Sequence, residues 1–344
     1  MIRPLARVRL LFLAPVLLMS APRLAAQESV STDDADFRPV RPVHTYSIVA
    51  RDPATGELGV AVQSHWFSVG SSVPWAESGV GAGATQSFID PSYGSLGLAL
   101  MRAGHGARAA LGGLVEADLT PQVRQVGMVD ASGATATFTG RLAIQHACDR
   151  EGAGFTVQAN LMHHEGVCDA MAAAFTSGTG DLAARLVAAL EAAEAVGGDI
   201  RGRQSAALLV VAATPSGRPW EDRLFDLRVE DSREPLVELE RLLGVARAYR
   251  HMNAGDAYLT DGDVDGAVEE YRKAEALLPG ESEPLFWHAA TLASAGRVDE
   301  SLPLFAEAFR LRPEWKELVP RLPTAELLPD DPELVARILG AQAP

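Results

Sequence analysis

TYSIVARDPATGELGVAVQS, at residues 45–64, consists of two alternating runs around a turn. Leu58, Val60 and Val62 share one side of the second run, the two-residue period of a strand buried on one face. Pro53 and Gly56 in DPATG suit a tight reversal, so the stretch predicts a hairpin. Downstream, GVGAGATQS (79–87) predicts a strand of small residues that lets neighbouring backbone approach closely. Helical patterns follow near 92–104 and 106–117. RQVGMVDA and ATATFTG then flank Ser132-Gly133 as a second hairpin, and FTVQANL predicts a further strand. Residues 165–177 and 180–196 are Ala-rich and helical, and AALLVVA and LFDLRVE end the region as strands around TPSGRPW. Strands, two helices, strands, two helices, strands: this order predicts an α+β fold with helices packed on largely antiparallel layers, not alternating βαβ units.

The last third follows a different period. Gly255, Tyr258, Gly262, Ala267, Tyr271, Ala274 and Pro279 recur 34 residues later as Ala289, Leu292, Gly296, Ser301, Phe305, Ala308 and Pro313. That spacing predicts an all-α tetratricopeptide-type helical module over 248–344. Two repeats bury little alone, so 232–247 is expected to serve as a linker or capping helix, and the tail after Lys316 as a second cap. Asp261-Gly-Asp263-Val-Asp265-Gly266 opens like a calcium loop, but Arg272 stands where a bidentate Glu is required. The repeat explains the run better, with Gly262 turning the chain and Asp263 capping a helix.

At the other end, Arg3, Arg7 and Arg9 precede the apolar run Leu10–Met19, and Ala25 and Ala26 follow. Residues 1–26 therefore predict a signal peptide and an exported protein, periplasmic or extracellular, with no membrane attachment after its removal. Residues 27–44, rich in polar residues and carrying Pro39 and Pro42, predict a flexible leader or propeptide, which places the first domain at 45–231. The net charge of −15 over 344 residues argues against nucleic acid, since phosphate binding needs clustered Lys and Arg. Only Lys273 and Lys316 are lysines. Cys148 and Cys168 either bridge or sit apart as buried thiols; their Cα separation decides. His163-His164-Glu165 does not complete a zinc helix, because Cys168 occupies the place of the second histidine in H-E-x-x-H; His146, Cys148, His163, His164 and Cys168 converging on a metal is the less favoured alternative to a polar loop. No Walker loop and no G-x-S-x-G elbow occurs. Neither a metal nor a cofactor is expected.

From Thr45 to about Glu230 the chain resembles the family called domain of unknown function 1028, placed in the N-terminal-nucleophile hydrolase superfamily. The resemblance is carried by TYSIVARDPATGELGVAVQS, GSSVPWAESGVGAGATQSFIDPSYG, RQVGMVD, FTVQANL and GGDIRGRQSAALLVV. It implies a four-layer αββα sandwich and a nucleophile at Thr45. A threonine at a chain terminus carries its own base, the free α-amine. Here Thr45 is internal, so a cut between His44 and Thr45 is required. The lysine that proteasome-like relatives place beside the nucleophile has no counterpart in 45–231. Arg51 or His65 is expected to supply positive charge, with Asp52 as partner; of the two, only His can act as a base. Gln86, Asn160 and Ser205 are expected as oxyanion donors beside backbone N–H groups. Arg201 and Arg203 either hold a substrate carboxylate bidentately or are solvated loop charges, and the second is the preferred expectation. The implied activity is amidohydrolysis of a small amide or peptide-like bond, in a homo-oligomer with a protein partner on the repeats. The rival expectation is an inert adaptor working through those repeats.

Overall fold

A computed structural model of the chain describes residues 45–342. The expected signal peptide and leader lie outside the described residues. The chain runs β1 (Thr45–Arg51), β2 (Leu58–Ser64), β3 (Pro74–Glu77), β4 (Gly81–Ser87), α1 (Ser92–Arg102), α2 (Ala107–Ala117), β5 (Arg124–Asp130) and β6 (Thr135–Thr139). It continues β7 (Cys148–Gly152), β8 (Phe155–Ala159), α3 (Val167–Ser177), α4 (Leu182–Ala195), β9 (Ser205–Val211) and β10 (Arg223–Val229). Helices α5 (Pro235–Thr260), α6 (Val264–Leu277), α7 (Ser282–Ser294), α8 (Val298–Leu311), α9 (Trp315–Leu318) and α10 (Pro332–Leu339) follow.

The strands form two sheets, one of six in the order β10-β9-β2-β1-β8-β7 and one of four in the order β3-β4-β5-β6. Every pairing is antiparallel. The strand period sorts the side chains. In β1, Tyr46, Ile48 and Ala50 join Met171, Phe175, Leu186 and Leu190 of α3 and α4 in one buried cluster. Val49, on the other face, meets Val60, Ala84 and Val129. In β5, Val126 and Met128 pack under Leu98, Met101 and Leu111 of α1 and α2. The two sheets thus face each other, and each carries a helix pair on its outer side. Burying each of these valines contributes roughly 1.5–3 kcal/mol before ordering costs. The sequence reading omitted β3 and β7. Both are edge strands, one starting at Pro74 and the other, CDREG, largely polar, so neither shows the alternation of a buried strand.

The C-terminal region is helical throughout. Its helix pairs α5–α6 and α7–α8 turn at Gly262 (φ 81°) and Gly296 (φ 79°), positions 34 residues apart in the sequence. Asp263 caps α6 by accepting from the Gly266 N–H at 2.9 Å, so the run that opens like a calcium loop is a helix start. Phe286, Phe305, Phe309, Val319 and Ile338 form the core of the last helices. One departure concerns the linker: residues 235–260 are a single helix, so the expected boundary at 247/248 falls in its interior. Leu236, Leu239 and Leu243 at its start belong to the core of the six-stranded sheet, which is why the helix is continuous from one region into the next. Cys148 and Cys168 are joined by a disulfide, Cα atoms 6.1 Å apart, which ties edge strand β7 to α3. No group of three or more His, Cys, Asp or Glu able to hold a metal occurs among the described residues. None of the described helices is long and apolar enough to cross a membrane.

Candidate functional site

At the N-terminal end of β1 the layer between the sheets turns from apolar to polar. Thr45 and Ser47 point inward beside Thr156, Gln158 and Asn160 of β8 and its end, and opposite Gln86 of β4 and Gln125 of β5; all are fully buried. Ladder pairing sets Ser64 directly across from Thr45, and the Thr45 hydroxyl donates to Ser64 Oγ at 3.1 Å. The Thr45 carbonyl accepts from Gln86 Nε2 (3.1 Å), from the Asn160 N–H (3.1 Å) and from Asn160 Nδ2 (3.5 Å). Gln125 joins the two sheets. Its Oε1 accepts from Gln86 Nε2 and Asn160 Nδ2, each at 2.8 Å. Its Nε2 donates to Thr139 Oγ1 (3.0 Å), the Ala159 carbonyl (2.9 Å) and the Cys148 carbonyl (3.2 Å). Gln158 Nε2 donates to Ser47 Oγ (2.7 Å), whose hydroxyl donates to Gln86 Oε1 (2.6 Å). A buried amide without partners costs about 1–3 kcal/mol, so the network stands only because its members satisfy one another. Gly127 makes room for it: a Cβ there would lie 2.2 Å from Gln158 Oε1 and 2.5 Å from Thr156 Oγ1.

The rim of this end is charged and aromatic. The His65 N–H donates to Asp199 Oδ2 at 3.2 Å, and buried Asp199 also receives Arg201 Nε (3.0 Å) and Nη2 (2.6 Å). His65 Nδ1 is buried with no hydrogen-bond partner among the described residues. Next to it, His65, Trp66, Phe67, Arg201 and Gln204 line an open cleft of about 490 Å³, with Phe67 64% exposed. Behind the rim, the Tyr46 hydroxyl donates to Glu194 Oε1 at 2.8 Å. Burial, and then the Glu194 carboxylate, push the Tyr46 phenol well above its usual range, so it stays protonated at neutral pH.

The sequence-based candidates divide. Thr45, Gln86 and Asn160 meet, and His65 follows Ser64 on the rim. Asp52 does not belong with them. It follows the last residue of seven-residue β1, about 20 Å of extended chain from Thr45. There its carboxylate accepts from the Ala54 and Thr55 N–H groups (2.7 and 3.0 Å) and from Arg185 (3.3 Å), which makes it a turn residue. Arg51 lies at that same far end. Ser205 pairs with Ser64 in the ladder, but its hydroxyl donates to the Trp66 carbonyl and accepts from the Val69 N–H at 3.1 Å. It therefore anchors the loop after β2. Arg201 is not a solvated charge, because it forks onto buried Asp199; Arg203 is exposed, as expected, and pairs with Glu194 (2.8 Å) and Glu234. Ser47, Ser64, Gln125, Thr156 and Gln158 were missed. Alternation held the signal, since a glutamine on the inward row of RQVGMVD or FTVQANL contradicts an apolar core.

A family model described as a family of unknown function (DUF1028) matches residues 45–239. Among solved structures, the chain is similar to the crystal structure of a Silicibacter pomeroyi protein assigned to the same family model. The two share 30% sequence identity over 58% of this chain and 84% of that one, with a TM-score of 0.53. No curated protein matches.

Proposed function

The chain belongs to the DUF1028 family of unknown function, and from that premise we propose that it is an exported N-terminal-threonine amidohydrolase acting on a small amide or peptide-like bond. One observation carries the reading. Thr45 begins the central hairpin with its carbonyl held by Gln86 and Asn160, so the position of its hydroxyl is fixed by both sheets. The packing of helix pair, sheet, sheet, helix pair is compatible with the four-layer sandwich of N-terminal-nucleophile hydrolases. The family match also starts at residue 45.

Cleavage of the His44–Thr45 peptide bond by water releases the α-amine of Thr45. Thr45 Oγ then attacks the substrate carbonyl carbon while the amine takes its proton. Collapse of the tetrahedral intermediate breaks the C–N bond, and the proton passes to the leaving amine. Water hydrolyses the resulting ester and restores the hydroxyl. Gln86 and Asn160 keep the nucleophile in place in this scheme, and His65 lies on the rim. The disulfide favours an oxidising compartment, in keeping with export. The C-terminal helices, read as tetratricopeptide-type repeats, would dock a protein partner. The absence of lysine from 45–231 favours a second reading, in which the sandwich is inert and the protein is an adaptor.

Intact mass and N-terminal sequencing of the mature protein separate the two. A chain starting at Thr45 that hydrolyses members of a small amide panel supports the enzyme, with Thr45→Ala losing at least about a thousandfold in rate. A mature chain that keeps His44 bonded to Thr45 removes the proposed base and with it the hydrolase.

A further inference from the structure

Where α5 passes from the sandwich to α6, an open cleft of about 500 Å³ carries six ionisable side chains: Glu57, Asp181, Arg247, Arg250, His251 and Glu270. Val210 and Phe225 of the six-stranded sheet give it an apolar wall. It lies at the turn between β1 and β2, the end of the hairpin opposite Thr45. Its volume is that of a small-molecule site, for which about 300–1,000 Å³ is usual.

The charges are matched unevenly. Arg247 Nη2 meets Asp181 Oδ1 at 2.6 Å, and His251 Nδ1 meets Glu270 Oε2 at 2.6 Å, where Glu270 also accepts from Lys273 at 2.7 Å. One cation and one carboxylate remain. The Arg250 guanidinium lies over the Phe225 ring, 5.1 Å from its centroid, and makes no hydrogen bond or ion pair with another described residue. A guanidinium on an aromatic face keeps its N–H edges directed outward for a planar acceptor. Glu57 is half-buried, senses Arg250 electrostatically, and does not reach it. Burial raises its carboxyl above the usual range, against the opposing effects of Thr55 and Arg250. A dianion would be repelled by Glu57 and a simple cation by Arg250. A ligand carrying one charge of each sign satisfies both and can place an apolar side chain on Val210 and Phe225.

We infer that this cleft binds a small zwitterion, an α-amino acid or short peptide, with its carboxylate on Arg250 and its ammonium on Glu57. The site is separate from Thr45 and does not depend on the hydrolase reading.

Isothermal titration tests it, using the full chain carrying Thr45→Ala so that no probe is consumed. The probes are L-alanyl-L-alanine, its N-acetyl derivative and its C-terminal amide. Saturable binding of the free dipeptide is expected, with each blocked form at least about tenfold weaker. In Arg250→Gln the amide and the free dipeptide should bind alike, and in Glu57→Gln the acetylated and free forms should. The proposal is overturned if no saturable heat appears at millimolar dipeptide. It is equally overturned if the blocked forms bind as well as the free one, or if both variants keep the discrimination of the parent.

Discussion

Within a few residues of β1 the space between the sheets changes its chemistry. Val49 sits among Val60, Ala84 and Val129, whereas Ser47 and Thr45 sit among Gln86, Gln125, Gln158 and Asn160. Both ends are equally buried, and both bridge the same two sheets. They differ in what a change of residue would do. Apolar contacts are non-directional, so the valine end should tolerate swaps that conserve volume. At the amide end each group holds another in one orientation, and losing a member strands its partners. A buried amide cluster stabilises the fold less per residue than valines would, and it fixes the backbone of Thr45. That trade is expected where geometry matters for chemistry.

Gln125→Leu should be the most damaging test of this contrast. It removes the bridge between Gln86, Asn160 and the β8 backbone, and a loss of about 4 kcal/mol in urea unfolding is expected. A loss under about 1 kcal/mol would mean the amide end is no more demanding than the valine end. Gly127→Ala comes next, at about 2–3 kcal/mol, because its methyl group would displace the Gln158 amide and the Thr156 hydroxyl. If the hydrolase reading holds, this variant should also lose turnover without losing its fold by circular dichroism. Val60→Thr, nearly isosteric, places a hydroxyl in the apolar cluster of Val49, Ala84 and Val129 and should cost about 1–2 kcal/mol. A neutral result would blur the distinction between the two ends.

The smallest effect concerns acid. Asp130 lies outside the amide end, beside α2 and the β5–β6 turn. Burial opposes its ionisation, but hydrogen bonds from Ser132 and from the Ala107 and Ala134 N–H groups outweigh burial and lower its pKa. Its folded-state pKa is therefore below the unfolded one, near 3.9. The stabilisation is present above about pH 4 and is lost as pH falls through the folded value. Asp130→Asn should flatten the acid limb of a stability-versus-pH curve, while the uncharged amide end contributes no such slope. An unchanged limb would assign the acid sensitivity to other carboxylates.

Alternation made most of the sandwich legible, because Leu58, Val60 and Val62 report a face directly. Edges were harder to see. Pro74 and the polar run at 148–152 pair on one side only and need no buried row. The site was legible in part. Thr45, Gln86 and Asn160 were identified through family likeness, yet Gln125, which connects them, was not, because its role depends on which strand of the other sheet lies opposite. Asp52 was misplaced for a related reason: it is close to Thr45 in sequence, but an extended strand carries it to the far end. Ser205 sits opposite Ser64, but its rotamer, set by the loop at 66–69, directs the hydroxyl elsewhere.

Helix α5 runs 26 residues without a break, its first turns packed on the six-stranded sheet and its last against α6. At 1.5 Å per residue it is a rod of about 39 Å. The two regions therefore share a beam and have no hinge at 247/248, and bending between them would require breaking main-chain hydrogen bonds inside the helix. A load applied to the distal helices by a bound partner would be transmitted along that beam to the strands at its base. Inserting a glycine pair near residue 247 would uncouple the halves and split a single melting transition into two.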